Sequence, residues 1–180
     1  MGASTSVAAR NSMIIFPAGE SRVDAIASRL DQFQCLLFLD IDGVLNPYGG
    51  PGGGPGPDAI DTEMVAHLNH ILQNTNAGIV VSSGWRVSHS AIRAMAKAGI
   101  DQWHTRFLGV TPSLPNYTGD HSAVRWKEIQ KWLQRNHWEG RFAVLDDMGL
   151  ISEHPAFFQT EEEVGLTREI ADQVVKHLQT

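Results

Sequence analysis

The chain has 180 residues, 42% apolar and 19% charged, which excludes a disordered chain and allows one domain with a real core. No apolar run approaches the roughly 18 residues of a membrane span, so no transmembrane helix is expected. The net charge of 14 − 20 = −6 argues against a surface that wraps nucleic acid on every side. The single cysteine, Cys35, cannot form an internal disulfide. Residues 1–20 show neither the basic nor the apolar region of a secretory signal, so a cytoplasmic location without membrane partners is expected.

Residues 1–12 are small and polar and read as flexible. Residues 21–33 carry Val23, Ile26 and Leu30 at helical spacing, so 1–34 reads as a flexible N-terminus ending in a helix. Cys35 to Leu39 is a continuous apolar run, the mark of a strand buried on both faces. Residues 47–57 hold six Gly and four Pro, a density that excludes helix and strand and reads as a flap. Asp61 or Thr62 then caps a helix through Met64, Val65, Leu68, Ile71 and Leu72 that stops at Asn76-Ala77-Gly78.

Ile79 to Val81 begins a second buried strand ending in Ser82-Ser83-Gly84, and a helix through Ile92, Met95 and Ala96 follows, stopping near Gly99. Phe107 to Val110 is a short third strand. Ser122 opens a helix through Ile129, Trp132 and Leu133. Phe142 to Leu145 is a fourth strand ending in Asp146-Asp147, Ala156 to Thr160 a fifth, and a last helix runs from Leu166 to Leu178. Strands alternating with helices predict an α/β fold with a parallel sheet, whose ligands sit at the carboxyl ends of the strands.

Three of those strand ends are polar in a particular way: Asp40-Ile41-Asp42, Ser82-Ser83 and Asp146-Asp147. Carboxylates collected at one sheet edge repel each other unless a cation sits among them. Oxygen ligands of this kind suit a hard divalent ion, Mg²⁺ above all. Residues 86–141 hold nine Lys/Arg against four Asp/Glu, a local +5 that leaves −11 for the rest. That excess reads first as ordinary helix-surface charge and second as a partner-binding patch.

FLDIDGVLN resembles the first motif of the haloacid dehalogenase (HAD) superfamily, VVSSGW the second and VLDD the fourth. The longer series DIDGVLN, VVSSGWR, LGVTPSLP, EIQKWL, VLDD and VGLT, over about residues 35–178, is similar to the small HAD domains associated with Swiss Army Knife RNA repair proteins. The resemblance implies a Rossmann-like HAD fold over 35–180, a mainly parallel sheet flanked by helices with no full cap domain. It also implies a Mg²⁺-dependent phosphomonoesterase. Asp40 would be the nucleophile that forms an aspartyl-phosphate, and Asp42 the general acid and base. Asp40, the Asp42 backbone carbonyl and Asp146-Asp147 would hold Mg²⁺. Ser83 or Ser82 would bind a phosphoryl oxygen.

The third motif needs a cation. Lys127 has the usual chemistry, whereas Arg125 shares the helical phase of Ile129 and Leu133 and lies in the first turn. Arg86 and Gly84 stand next to the second motif as candidate substrate contacts. Trp85, Trp126, Trp132 and Trp138 read as packing residues. A site without a cap is open, which fits a phosphorylated nucleic-acid (RNA) end as substrate. A small-molecule or phosphoprotein phosphatase, or a non-catalytic scaffold that binds a phospho-ligand, remains the alternative.

Overall fold

The computed structural model describes residues 29–48, 60–114, 120–149 and 153–180. Three expectations lie outside these residues: the flexible 1–12, the helix over 21–33, except from Arg29 onward, and the Gly/Pro segment at 47–57, except Pro47 and Tyr48.

Five strands form one parallel sheet: β1 (Cys35–Leu39), β2 (Ala77–Val81), β3 (Phe107–Val110), β4 (Arg141–Asp146) and β5 (Phe157–Gln159). Their order is β3-β2-β1-β4-β5. The longer helices are α1 (Thr62–Asn74), α2 (His89–Lys97), α4 (His121–Arg135) and α5 (Arg168–Gln179), with a single turn α3 (Trp103–Arg106) before β3. This is a Rossmann-like α/β arrangement. The chain leaves β1 on one side through β2 and β3 and returns on the other through β4. The crevice beside β1 is therefore the topological switch point, where such sheets bind ligands. No helix among the described residues is long and apolar enough to cross a membrane.

Each face of the sheet has its own core. Leu37, Leu39, Ile79, Val81 and Leu145 pack with Leu68, Ile71 and Leu72 of α1 and Val174 and Leu178 of α5. Leu36, Phe38, Val80 and Val144 pack with Ile129 and Trp132 of α4 and with Leu30 and Phe33. The side-chain period of two along each strand separates the two sets. Leu68, Ile71 and Leu72 are fully buried, each contributing about 1.5–3 kcal/mol.

The helix starts follow their capping chemistry. Asp61 accepts from the Glu63 and Met64 amides, Asp120 from Ser122 and Thr167 from Ile170. The first helix thus begins at Thr62. The helix expected to open at Ser122 begins one residue earlier.

The boundary of β2 differs from expectation. Ala77-Gly78, expected as a helix stop, are strand residues paired with Cys35 and Leu36. The helix ends before them, at an extended Thr75. Gly78 lacks a side chain because of packing: a Cβ there would fall 2.5 Å from Leu108 Cδ1 and 3.1 Å from the Phe33 ring.

The basic excess of 86–141 also needs correcting as a surface feature. Three of its nine cations point inward. Arg106 is 7% exposed and donates to the Ala77 and Leu72 carbonyls at the junction of α1 and β2. Arg86 and Arg125 are engaged at the carboxyl edge of the sheet.

Candidate active site

Strand register builds the site. Leu39 of β1 pairs with Val81 of β2 and with Leu145 of β4. The ladder runs one step further: the Asp40 amide donates to the Leu145 carbonyl at 2.9 Å and the Ser82 amide to the Leu39 carbonyl at 2.8 Å. Asp40, Ser82 and Asp146 are thereby neighbours in one row across three strands. Phe38, Val80 and Val144, two residues earlier, face α4. The period of two turns the row to the same side.

Arg125 meets that row from near the start of α4. Its Nη1 lies 2.6 Å from Asp40 Oδ2 and 2.8 Å from Asp146 Oδ2, and also donates to the Ser82 carbonyl. The helical phase that puts Ile129 in the core four residues later puts Arg125 over the strand ends. Burial alone would lower the Arg125 pKa; the Asp40 and Asp146 carboxylates outweigh it and hold the guanidinium charged. Lys127 is exposed on α4. Of the two candidate cations, the fold brings Arg125 to Asp40.

Asp147 completes a cluster. Carboxylate oxygens of Asp40, Asp146 and Asp147 lie within 4.8 Å of one another. Burial, and then the Asp40 charge, push Asp146 up to about 8. The same two causes raise Asp147. Three carboxylates face one guanidinium, which leaves two negative charges uncompensated when all are ionised. Hard oxygen donors at this spacing fit a divalent cation such as Mg²⁺.

The loop after β1 is tied tightly around this cluster. Gly43 has φ +69°, and a Cβ on it would fall 2.6 Å from Asp147. Only glycine satisfies both demands. Thr160, just past β5, donates its hydroxyl to the Gly43 carbonyl at 2.7 Å. The Asp40 carboxylate is oriented by the Ile41 amide, 2.7 Å from Oδ1.

Asp42 stands apart from the carboxylate cluster. Its Oδ1 accepts from Asn46 Nδ2 at 3.0 Å and its Oδ2 from Trp85 Nε1 at 2.9 Å. Burial raises its pKa, against these two donors, which favour the charged form.

The second-motif residues take separate positions. Ser82 is fully buried, and its hydroxyl has no hydrogen-bond partner among the described residues. Ser83 accepts from the Trp85 amide at 3.3 Å, capping a 3₁₀ turn at Gly84–Val87. Gly84 is exposed, and a Cβ there would meet open space. Arg86, considered for substrate contact, is turned inward. It donates to the Ser83 carbonyl at 2.9 Å and pairs with the buried Glu128 at 2.8 Å. Glu128 also accepts from the Leu114 amide, so this pair joins the turn after β2, α4 and the segment after β3.

Sequence reasoning missed Glu128, Asn46, Thr160 and the polar side of Trp85. Glu128 had a signal: it lies three residues after Arg125 and four before Trp132, on the inward face. Trp85 does pack in the core, yet an indole N–H in a buried setting calls for an acceptor. Asn46 and Thr160 had no comparable signal, since their contacts depend on loop geometry.

A family model described as the HAD domain in Swiss Army Knife RNA repair proteins matches residues 36–171. No curated protein and no solved structure matches the chain.

Proposed function

The chain belongs to the family of HAD domains in Swiss Army Knife RNA repair proteins, and on that premise we propose that it is a phosphomonoesterase acting on nucleic-acid, above all RNA, phosphate ends. The observation that carries the reading is Arg125 joining Asp40 to Asp146 beside a third carboxylate, Asp147. That arrangement supports Asp40 as nucleophile, Arg125 as its fixed cation and the three carboxylates as a divalent-metal donor set.

In this reading Asp40 attacks phosphorus while the P–O bond to the leaving oxygen breaks. Asp42 gives its proton to that oxygen. Water then attacks the aspartyl-phosphate, Asp42 takes the proton back, and phosphate leaves with Asp40 restored. The raised Asp42 pKa favours the protonated form that the first step needs. Arg125 holds Asp40 in line and offsets the charge gathered there. The Ser82 and Ser83 hydroxyls stand at the end of β2 as donors for a phosphoryl oxygen. Mg²⁺ held by Asp40, Asp146 and Asp147 would supply neutralisation of the phosphoryl charge.

Substrate size follows from the connections. Between β1 and β2 the described chain provides one helix, and between β3 and β4 another. Neither is a cap domain, and a site without a cap among the described residues fits a polymer end.

Phosphate release from a panel tests the proposal, with Mg²⁺ and with EDTA. The panel holds p-nitrophenyl phosphate, 3′- and 5′-phosphorylated RNA and DNA oligonucleotides, nucleotides and a phosphopeptide. Mg²⁺-dependent release with preference for one oligonucleotide end is expected. Release from small or protein substrates alone overturns the nucleic-acid assignment. No release at all, from folded protein, overturns catalysis in favour of a phospho-ligand scaffold.

A further inference from the structure

We infer that Trp85 is a positioning residue for the proton that Asp42 delivers to the leaving oxygen, an inference that rests on the phosphomonoesterase reading above. Each oxygen of the Asp42 carboxylate receives one N–H: Asn46 Nδ2 on Oδ1 at 3.0 Å and Trp85 Nε1 on Oδ2 at 2.9 Å. A carboxylate held by one donor can still swing about its terminal torsion, which is broad. Two donors from different directions set its plane.

The two supports differ in origin. Asn46 belongs to the same loop as Asp42, which is closed by the Gly43 amide on the Asn46 carbonyl at 3.0 Å and the Asn46 amide on the Ile41 carbonyl at 3.1 Å. Trp85 comes from the neighbouring strand, on the 3₁₀ turn after β2. It is only 9% exposed and is packed with the core of the α1 face. Its backbone is held at both ends, by Ser83 Oγ on its amide and by the Ser88 amide on its carbonyl at 3.0 Å. Arg86, the next residue, is anchored on Glu128. The indole is thus a rigid strut across the strand ends.

An indole N–H donates and never accepts. When Asp42 carries its proton, that proton cannot sit on the lone pair facing Trp85. With Asn46 Nδ2 on Oδ1, the strut leaves one lone pair on each oxygen for the acid and so aims it. Proton transfer is steep in geometry, and the cost of losing the aim depends on the leaving group. An alkoxide leaving from a ribose needs the proton; a nitrophenolate hardly does.

The test compares the full-length wild type with Trp85→Phe, which keeps a ring and removes the donor. The quantity is kcat/KM, which reports the step in which the leaving group departs. The substrates are a 3′-phosphorylated oligoribonucleotide and p-nitrophenyl phosphate. The fall on the oligonucleotide should exceed the fall on the aryl ester by about tenfold or more. Equal falls on both overturn the positioning role and make Trp85 a packing residue. Wild type that releases phosphate from neither overturns the phosphatase reading itself, and the role falls with it. A second measurement needs no turnover and no folded Trp85 variant. The indole ¹H–¹⁵N signal of Trp85 should move upfield in Asp42→Ala; an unmoved signal overturns the inference while leaving the phosphatase reading standing.

Discussion

Arg125 reaches across 85 positions of chain to put its Nη1 2.6 Å from Asp40 Oδ2. The ion pair joins the N-terminal part of α4 to the end of the central strand. Both side chains are largely shielded, at 12% and 6% exposed, so water screens the attraction little. Arg125→Ala should lower phosphate release by on the order of 10²–10³-fold. Arg125→Lys should recover part of the loss, since a lysine supplies the charge but not the planar fork. Lys127→Ala, on the exposed side of the same helix, should stay within about twofold. Initial rates on the preferred substrate decide; a larger loss in the Lys127 variant would reverse the assignment.

Gly43 should be intolerant of any side chain. Its φ is +69°, and Asp147 atoms lie 2.6 Å from where a Cβ would stand. Gly43→Ala therefore strains the backbone and pushes Asp147 away from Asp40. The expected destabilisation is about 1–3 kcal/mol, with weaker Mg²⁺ binding by calorimetry. Unchanged Mg²⁺ affinity would remove Asp147 from the donor set.

Glu128 and Arg86 should prove mutually dependent. Glu128→Ala strands a guanidinium that is 13% exposed and leaves the Leu114 amide without its acceptor. A loss of about 3–5 kcal/mol is expected in urea unfolding. Replacing both residues by leucine should cost less than Glu128→Ala alone, because no buried charge is then left unpaired. Additive losses in that cycle would show that the pair is not coupled.

Metal and pH should act together on stability. Folded Asp146 is held up to about 8, whereas an unfolded aspartate ionises near ~3.9. Between those values the folded chain keeps a proton that the unfolded chain has lost. The stability from this group is therefore complete below about pH 4 and is lost as pH rises through about 8. Asp42 and Asp147, shifted in the same direction, add to the trend. Metal requires the ionised carboxylates. In EDTA the Tm should fall between pH 6 and pH 8.5, and millimolar Mg²⁺ should raise it more at the higher pH. Equal increments at both would place the metal elsewhere.

Much of this protein is written locally. The unbroken apolar run Cys35–Leu39, the polar ends at Asp40, Ser82 and Asp146, and a cap at Asp61 or Thr62 need only neighbouring residues to be read. Unbroken apolar runs mark the doubly buried strands, period 3.6 brings Arg125 into line with Ile129, and alternation of the two kinds of segment yields a parallel α/β sheet. The tertiary structure alone decided three things. It set the register that places Asp40, Ser82 and Asp146 in one row. It made Gly78 a strand residue, through Phe33 and Leu108. It paired Trp85 with Asp42 across 43 positions and Arg86 with Glu128 across 42. Periodicity along a segment reports which face is apolar. It carries no information on which distant group will satisfy a buried N–H or charge, because that depends on how separate strands align when the chain closes.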